Sequence, residues 1–171
     1  MADFGSSRSI VDRMRGAAAL DVATYEEVEA DVNATGQAAI VVVLVAIASG
    51  IGNYFHGGAG IISAIVAALL GWASWASITY FLGTRFFGGT ATWGELARTL
   101  GFAQSPGVLM VLGIVPGLGW LIRLLVGIWM LVAGIIAIRQ ALDIDTGKAV
   151  LVALAGWAVY LVLGILLSGI F

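Results

Sequence analysis

Apolar residues run almost unbroken through five stretches between Gly36 and Phe171, and the charged residues fall largely in the gaps between them. A helix needs about 20 apolar residues to cross the hydrocarbon core of a bilayer. The pattern therefore predicts spans near 36–52, 60–82, 102–115, 118–138 and 149–171. The third is short and carries Gln104, Ser105 and Pro106, which leaves open whether it crosses fully or re-enters. Fusing it with the fourth would give one helix about 50 Å long at ~1.5 Å per residue, against a core of about 30 Å. Pro116-Gly117 and Gly119 stand in the middle of that segment, where a turn is wanted. A hairpin of two helices fits better.

Charge placement favours the same count. With five spans, Arg8, Arg13, Arg15, Arg85, Arg98, Arg139 and Lys148 all fall on one side, and of the eight lysines and arginines only Arg123 remains. The positive-inside rule makes that side the cytoplasm. A four-span count would put Arg139 and Lys148 outside. The expectation is an all-α polytopic bundle of five helices in the cell inner (plasma) membrane, N-terminus cytoplasmic and C-terminus outside. Arg123, about one turn into the fourth span, would snorkel outward. The sequon Asn33-Ala34-Thr35 would face the cytoplasm and stay unglycosylated.

Residues 1–35 form a separate cytoplasmic amphipathic arm, basic at first and then acidic, with no apolar run long enough for a signal peptide. Two short helices are expected in it. One lies near 7–19, with Ile10, Val11, Met14 and Ala18 on one face; the other opens at Thr24, with Glu27 completing a capping box. The basic half could lie on anionic headgroups, or the arm could be solvated throughout. In the loop 83–101, Thr92 and Glu95 form another capping box, and Trp93, Leu96, Ala97 and Leu100 recur at helical spacing. That helix is expected in the headgroup plane, anchored by Trp93.

Composition narrows the chemistry. Of 171 residues 61% are hydrophobic and 11% charged, too few charges to cover a water-facing surface. Cysteine is absent, which excludes disulfides, thiolate metal sites and cysteine nucleophiles. A net charge of −2 has no nucleic-acid footprint. The sole histidine, His56, sits in a glycine-rich turn without a nucleophile elbow anywhere to serve. Asp143 and Asp145 are a pair of carboxylates without further oxygen donors. No catalytic residue, cofactor or metal site is therefore expected.

Three stretches resemble the Yip-one domain family of small membrane proteins, specifically its bacterial and archaeal branch. They are Arg15-Gly16-Ala17-Ala18-Ala19-Leu20-Asp21 with Tyr25-Glu26-Glu27-Val28, the run from Thr92 through Gln104-Ser105-Pro106-Gly107, and the loop from Ile138 to Ala149. The resemblance covers about Arg13 to Ile170 and implies five spans with a cytoplasmic N-terminus. Eukaryotic members are associated with Rab-type GTPases and vesicle traffic. This chain has only a short acidic arm where they carry long cytoplasmic tails, so the resemblance does not extend to that role.

Polar groups at membrane depth are the remaining candidates, because burying them there has a cost. Glu95, Arg98, Gln104 and Ser105 on the inside and Arg123 on the outside are the candidate interaction or ligand residues. Small residues form packing stripes: Gly60, Ala64 and Gly71 in the second span, Gly113 and Gly117 at the hairpin, Gly127 and Gly134 in the fourth, Gly156 and Gly164 in the fifth. They serve either the bundle itself or a homo-oligomer. The tryptophans Trp72, Trp75, Trp120, Trp129 and Trp157 are expected mainly in the belts or facing lipid. The first functional expectation is a non-enzymatic membrane-organising or scaffold protein whose partners are membrane lipids and further copies of itself. The alternative is a small transporter, channel or lipid-moving protein with a polar path near Gln104, Ser105 and Arg123. An open groove reaching Gln104 would favour the alternative, and a solid small-residue core the first.

Overall fold

The structure, a computed structural model, describes residues 8–53 and 60–168. Among them are seven α-helices, one 3-10 helix and no strand. Two short helices come first, α1 (Ile10–Ala18) and α2 (Val22–Ala30), followed by α3 (Ala34–Gly52) and α4 (Ile61–Phe86). Then come α5 (Trp93–Phe102), the 3-10 helix Ser105–Ile114, α6 (Gly119–Leu142) and α7 (Thr146–Ser168). Three of these, α3, α4 and α6, are long and apolar enough to cross a membrane, and α7 adds the apolar stretch Thr146–Val159. On α4, Ile62, Leu70 and Phe81 are 79%, 64% and 58% exposed. Large apolar side chains displayed at this density need a hydrocarbon solvent.

Glycines set how the long elements meet. A methyl carbon placed on Gly101 would sit 2.7 Å from the Ala38 Cβ, and one on Gly107 would sit 2.6 Å from the Val45 side chain. Gly52 abuts the Met110 carbonyl, and Gly113 faces the Gly52 carbonyl. Residue numbers rise together along both partners, so the tail of α5 and the 3-10 helix run parallel to α3 from near its start to its end. The sequence predicts an α-helical span over 102–115; instead α5 continues through Phe102 and a 3-10 helix follows. Ten residues cover about 20 Å in 3-10 winding but about 15 Å as an α-helix. The tighter coil thus lets a short segment keep pace with its neighbour. Pro106, in the first turn, gives up no hydrogen bond that a helix start would make.

The segment then turns at Gly117, whose φ of +82° suits glycine, and α6 returns antiparallel. At the far end of α6, Leu142 fills the space beside Gly83 and Gly89. Asp143 ends the helix in the left-handed conformation (φ 52°), with the Ile144 amide donating to the Arg139 carbonyl at 3.3 Å. The Lys148 amide donates to Asp145 Oδ1 at 3.0 Å in the first turn of α7. The two aspartates are thus the stop and start signals of consecutive helices. α7 then runs back along α4, so close that a methyl carbon placed on Gly156 would sit 3.3 Å from the Trp75 ring.

The arm departs most from expectation. Ser9 caps α1 by accepting the Asp12 amide at 3.2 Å, and Asp21 caps α2 by accepting the Ala23 amide at 3.3 Å. The capping box predicted at Thr24 and Glu27 does not form. Thr24 is buried inside α2 with its hydroxyl donating to Asp21 Oδ2, while Glu27 pairs with arginines. Both readings kept the arm separate from the bundle, and α1 and α2 are not separate. They are folded against the bundle, with Ala17, Tyr25 and Val28 fully buried in its core. α5 is likewise packed into the bundle: Leu96 to Ala103 are buried among α2, α3, α4 and α6.

Candidate functional site

The polar residues of the arm and α5 form one connected cap over the end of the bundle. Its hub is Arg13, 1% exposed. Its Nε donates to Glu27 Oε1 at 3.0 Å, one terminal nitrogen to Gln37 Oε1 at 2.9 Å, and the other to Asp31 Oδ2 at 2.7 Å. One guanidinium therefore ties α1 to α2, to the α2–α3 link and to α3. Arg8 adds a second cation, 3.1 Å from Glu27. The Arg13 hydrogen bond holds the Asp31 carboxyl below its ordinary range, and the Thr24 hydroxyl does the same for Asp21. Burial raises the Tyr25 hydroxyl, which donates to the Ala17 carbonyl at 3.0 Å.

Arg98 is the second buried cation. Its Nε donates to the Val28 and Glu29 carbonyls at 3.0 and 3.1 Å, and its terminal nitrogen also reaches the Glu29 carbonyl. These are last-turn carbonyls of α2, which have no partner within the helix. A cation at this end also complements the helix dipole. The Glu29 side chain is pushed up to about 7, first by burial and then by the nearby carboxylates of Asp143 and Glu95, against the opposing pull of Arg98.

Glu95 completes the capping box foreseen for α5: Thr92 Oγ1 accepts the Glu95 amide at 3.3 Å, and Glu95 Oε2 accepts the Thr92 amide at 2.7 Å. Three indole N–H groups bolt helices together. Trp72 donates to the Ala97 carbonyl at 2.9 Å, Trp93 to Ser77 Oγ at 2.9 Å, and Trp129 to the Ala18 carbonyl at 2.8 Å. Trp72 and Trp129 are thus braces rather than simple belt residues, whereas Trp120 and Trp157 are mostly exposed.

The candidate polar residues do not converge. Gln104 lines a cavity of about 350 Å³ between α4, α5 and α6, walled by Ala67, Gly71, Trp72, Trp75 and Gly134. Ser105 is buried and donates to the Phe102 carbonyl at 2.6 Å. It borders a separate groove beneath α1. Arg123 lines a third space of about 440 Å³ at the hairpin with Gly113, Pro116, Gly117 and Trp120. It donates to Asn53 Oδ1 at 3.2 Å, and Asn53 in turn donates to the Ser49 carbonyl. Gln104, Ser105 and Arg123 therefore border three spaces, not one path.

The small-residue positions divide likewise. Gly113 and Gly156 are contact points inside the bundle, and Gly71 and Gly134 line the Gln104 cavity. Gly60 meets only its own Ser63, Ala64 is half-buried, and Gly117 serves the turn. A methyl carbon placed on Gly127 would meet no other element within 4 Å among the described residues. His56 and the surroundings of Gly164 lie outside the described residues, and among the described residues no cluster of metal-ligating side chains occurs.

Sequence reasoning missed Arg13, Gln37, Asp31 and Tyr25. A signal existed for part of this: Glu27 and Asp31 are carboxylates four residues apart at the end of a short helix, an arrangement that invites a cation from elsewhere.

Apolar helices of membrane length, wrapped in exposed leucine, isoleucine and phenylalanine and closed at one end by a polar cap, define a multi-pass helical membrane protein. The Yip1 domain matches the chain over residues 22–167, from the first residue of α2 nearly to the end of α7, and the chain belongs to that family. Neither the curated proteins nor the solved structures include a significant match.

Proposed function

We propose that this Yip-family chain is a non-enzymatic membrane-organising protein that self-associates in the cell inner membrane. It crosses five times, with the cap in the cytoplasm. The observation that carries this reading is the dispersal of Gln104, Ser105 and Arg123 over three separate spaces, with two buried arginines spent entirely on joining the arm to the bundle. A conduit needs polar groups along one line, and an enzyme needs groups that converge on a reacting atom. Here the polar groups instead build a rigid platform. The parallel course of the 3-10 helix along α3 supports a third crossing, and seven of the eight basic residues on the cap side support a cytoplasmic cap. The bare glycine surface at Gly127 supports close approach of a second copy.

Native mass spectrometry from lipid nanodiscs tests the assignment. A defined oligomer that Gly127→Leu dissociates supports it, and a monomer at every concentration overturns the self-association. Because the chain has no cysteine, single cysteines at Arg85 and Trp120 report sidedness by their labelling from either face. Labelling of both from the same side would overturn the topology.

One observation favours a second reading. The Gln104 cavity lies against the middle of α4 and holds a carboxamide among mostly apolar residues, as a carrier for a small polar solute would require. A small molecule retained by the parent chain and lost in Gln104→Leu would favour the carrier.

A further inference from the structure

Beneath α1, on the flank of the bundle, lies an open groove of about 460 Å³. Its floor is apolar, formed by Leu44 of α3, Pro106 and Leu109 of the 3-10 helix, and Trp129 of α6; Met14 and Arg15 of α1 form its upper rim. Leu44, Leu109 and Trp129 are all about 40% exposed, so the groove opens sideways where the protein meets lipid.

The rim carries the argument. α1 and the residues before it contain three described arginines with different fates. Arg8 is paired with Glu27, and Arg13 is buried among Glu27, Asp31 and Gln37. Arg15 is exposed and has no ion pair or side-chain hydrogen bond among the described residues. A guanidinium held beside hydrocarbon without a protein anion draws an anion from its surroundings. In a bilayer the anion at hand is a lipid phosphate, which guanidinium matches with two parallel hydrogen bonds. The Trp129 indole N–H is already engaged by the Ala18 carbonyl, so the floor presents the ring rather than a free donor. One cation at the rim of an apolar trough is complementary to one anionic headgroup joined to one acyl chain.

We propose that this groove holds an anionic phospholipid, with its phosphate on Arg15 and one acyl chain along Leu44, Leu109 and Trp129. The site goes beyond the organising function inferred above and does not depend on it.

The test uses the full chain in nanodiscs containing phosphatidylglycerol and phosphatidylcholine, released into a native mass spectrometer. One phosphatidylglycerol retained in preference to phosphatidylcholine is expected. Arg15→Gln, at an exposed position, should lower that preference about five-fold, the effect of one basic residue near a charged membrane surface. Leu109→Trp keeps the cation but fills the trough and should also reduce retention. Equal retention of both lipids, or an unchanged preference in Arg15→Gln, overturns the proposal. Loss in Arg15→Gln with full retention in Leu109→Trp reduces the site to surface attraction and overturns the acyl groove. Displacement of the lipid by millimolar glycerol phosphate would show a free-phosphate site and also overturn it. Oligomer dissociation with Gly127→Leu is a separate readout, so failure of one idea leaves the other standing.

Discussion

Arg13 Nη2 lies 2.7 Å from Asp31 Oδ2, joining the first helix of the arm to the entry of the first long helix with almost no exposure of the arginine. Buried charges persist only when fully paired, and here three acceptors surround one guanidinium. The arm is accordingly a folded part of the bundle.

Removing that cation leaves Glu27, Asp31 and Gln37 without their shared donor. Arg13→Leu should weaken docking of the arm by about 3 kcal/mol, the lower range for breaking a buried pair. Hydrogen exchange over Ile10–Ala30 should rise sharply while α6 remains protected. Unchanged protection in the arm would show that apolar contacts of Ala17, Tyr25 and Val28 suffice.

Acidity should act on the cap through Glu29. Its folded value is about 7 against an ordinary 4.5, so the folded chain holds a proton that the unfolded chain releases between those values. The stabilisation is complete below about 4.5 and disappears as the pH rises through about 7. Asp31 works in the opposite direction: its lowered value gives stability above its ordinary 3.8, lost on acidification below that. Thermal unfolding of the parent should therefore lose stability between pH 5 and 8. Glu29→Gln should flatten that slope and melt above the parent at pH 8. An identical slope in the variant would remove Glu29 as the cause.

Glycines of one helix type should behave oppositely according to what they face. Gly101→Ala drives a methyl group toward Ala38 and should cost about 2 kcal/mol by overpacking. Gly127→Ala meets open space and should be neutral or stabilising by less than about 1 kcal/mol, as helix propensity favours alanine. Melting temperatures of the two variants in one detergent decide the matter; equal effects would contradict the packing described.

Thr79 is fully buried in α4, and its hydroxyl has no hydrogen-bond partner among the described residues. Thr79→Val keeps the shape and removes the unpaired group, so it should raise stability by about 1 kcal/mol. A loss of similar size would reveal a partner for that oxygen.

The apolar stretches and the helical spacing after Thr92 located most elements within a few residues. The start of α3 at Ala34, the start of α4 at Ile61 and the capping box of α5 all follow from local rules of length, periodicity and capping. The capping box at Thr24 failed because Glu27 had a stronger use. The helix also starts earlier, capped by Asp21, so the Thr24 amide already donates to the Asp21 carbonyl at 3.1 Å, and Glu27 forms a charge-assisted bond to buried Arg13 instead.

By itself the sequence determined the solvent of this protein, its all-helical class and the sequence intervals of its long helices. Those properties depend on the hydrophobicity and helical period of neighbouring residues. Tertiary structure alone decided that Arg13 and Arg98 are fasteners, that Gln104, Ser105 and Arg123 border separate spaces, and that Arg15, without a protein partner among the described residues, stands above an apolar groove. Each outcome depends on which groups from distant parts of the chain meet. A polar side chain in or beside a membrane takes whatever partner the fold brings within about 3 Å, and that choice has no local signature.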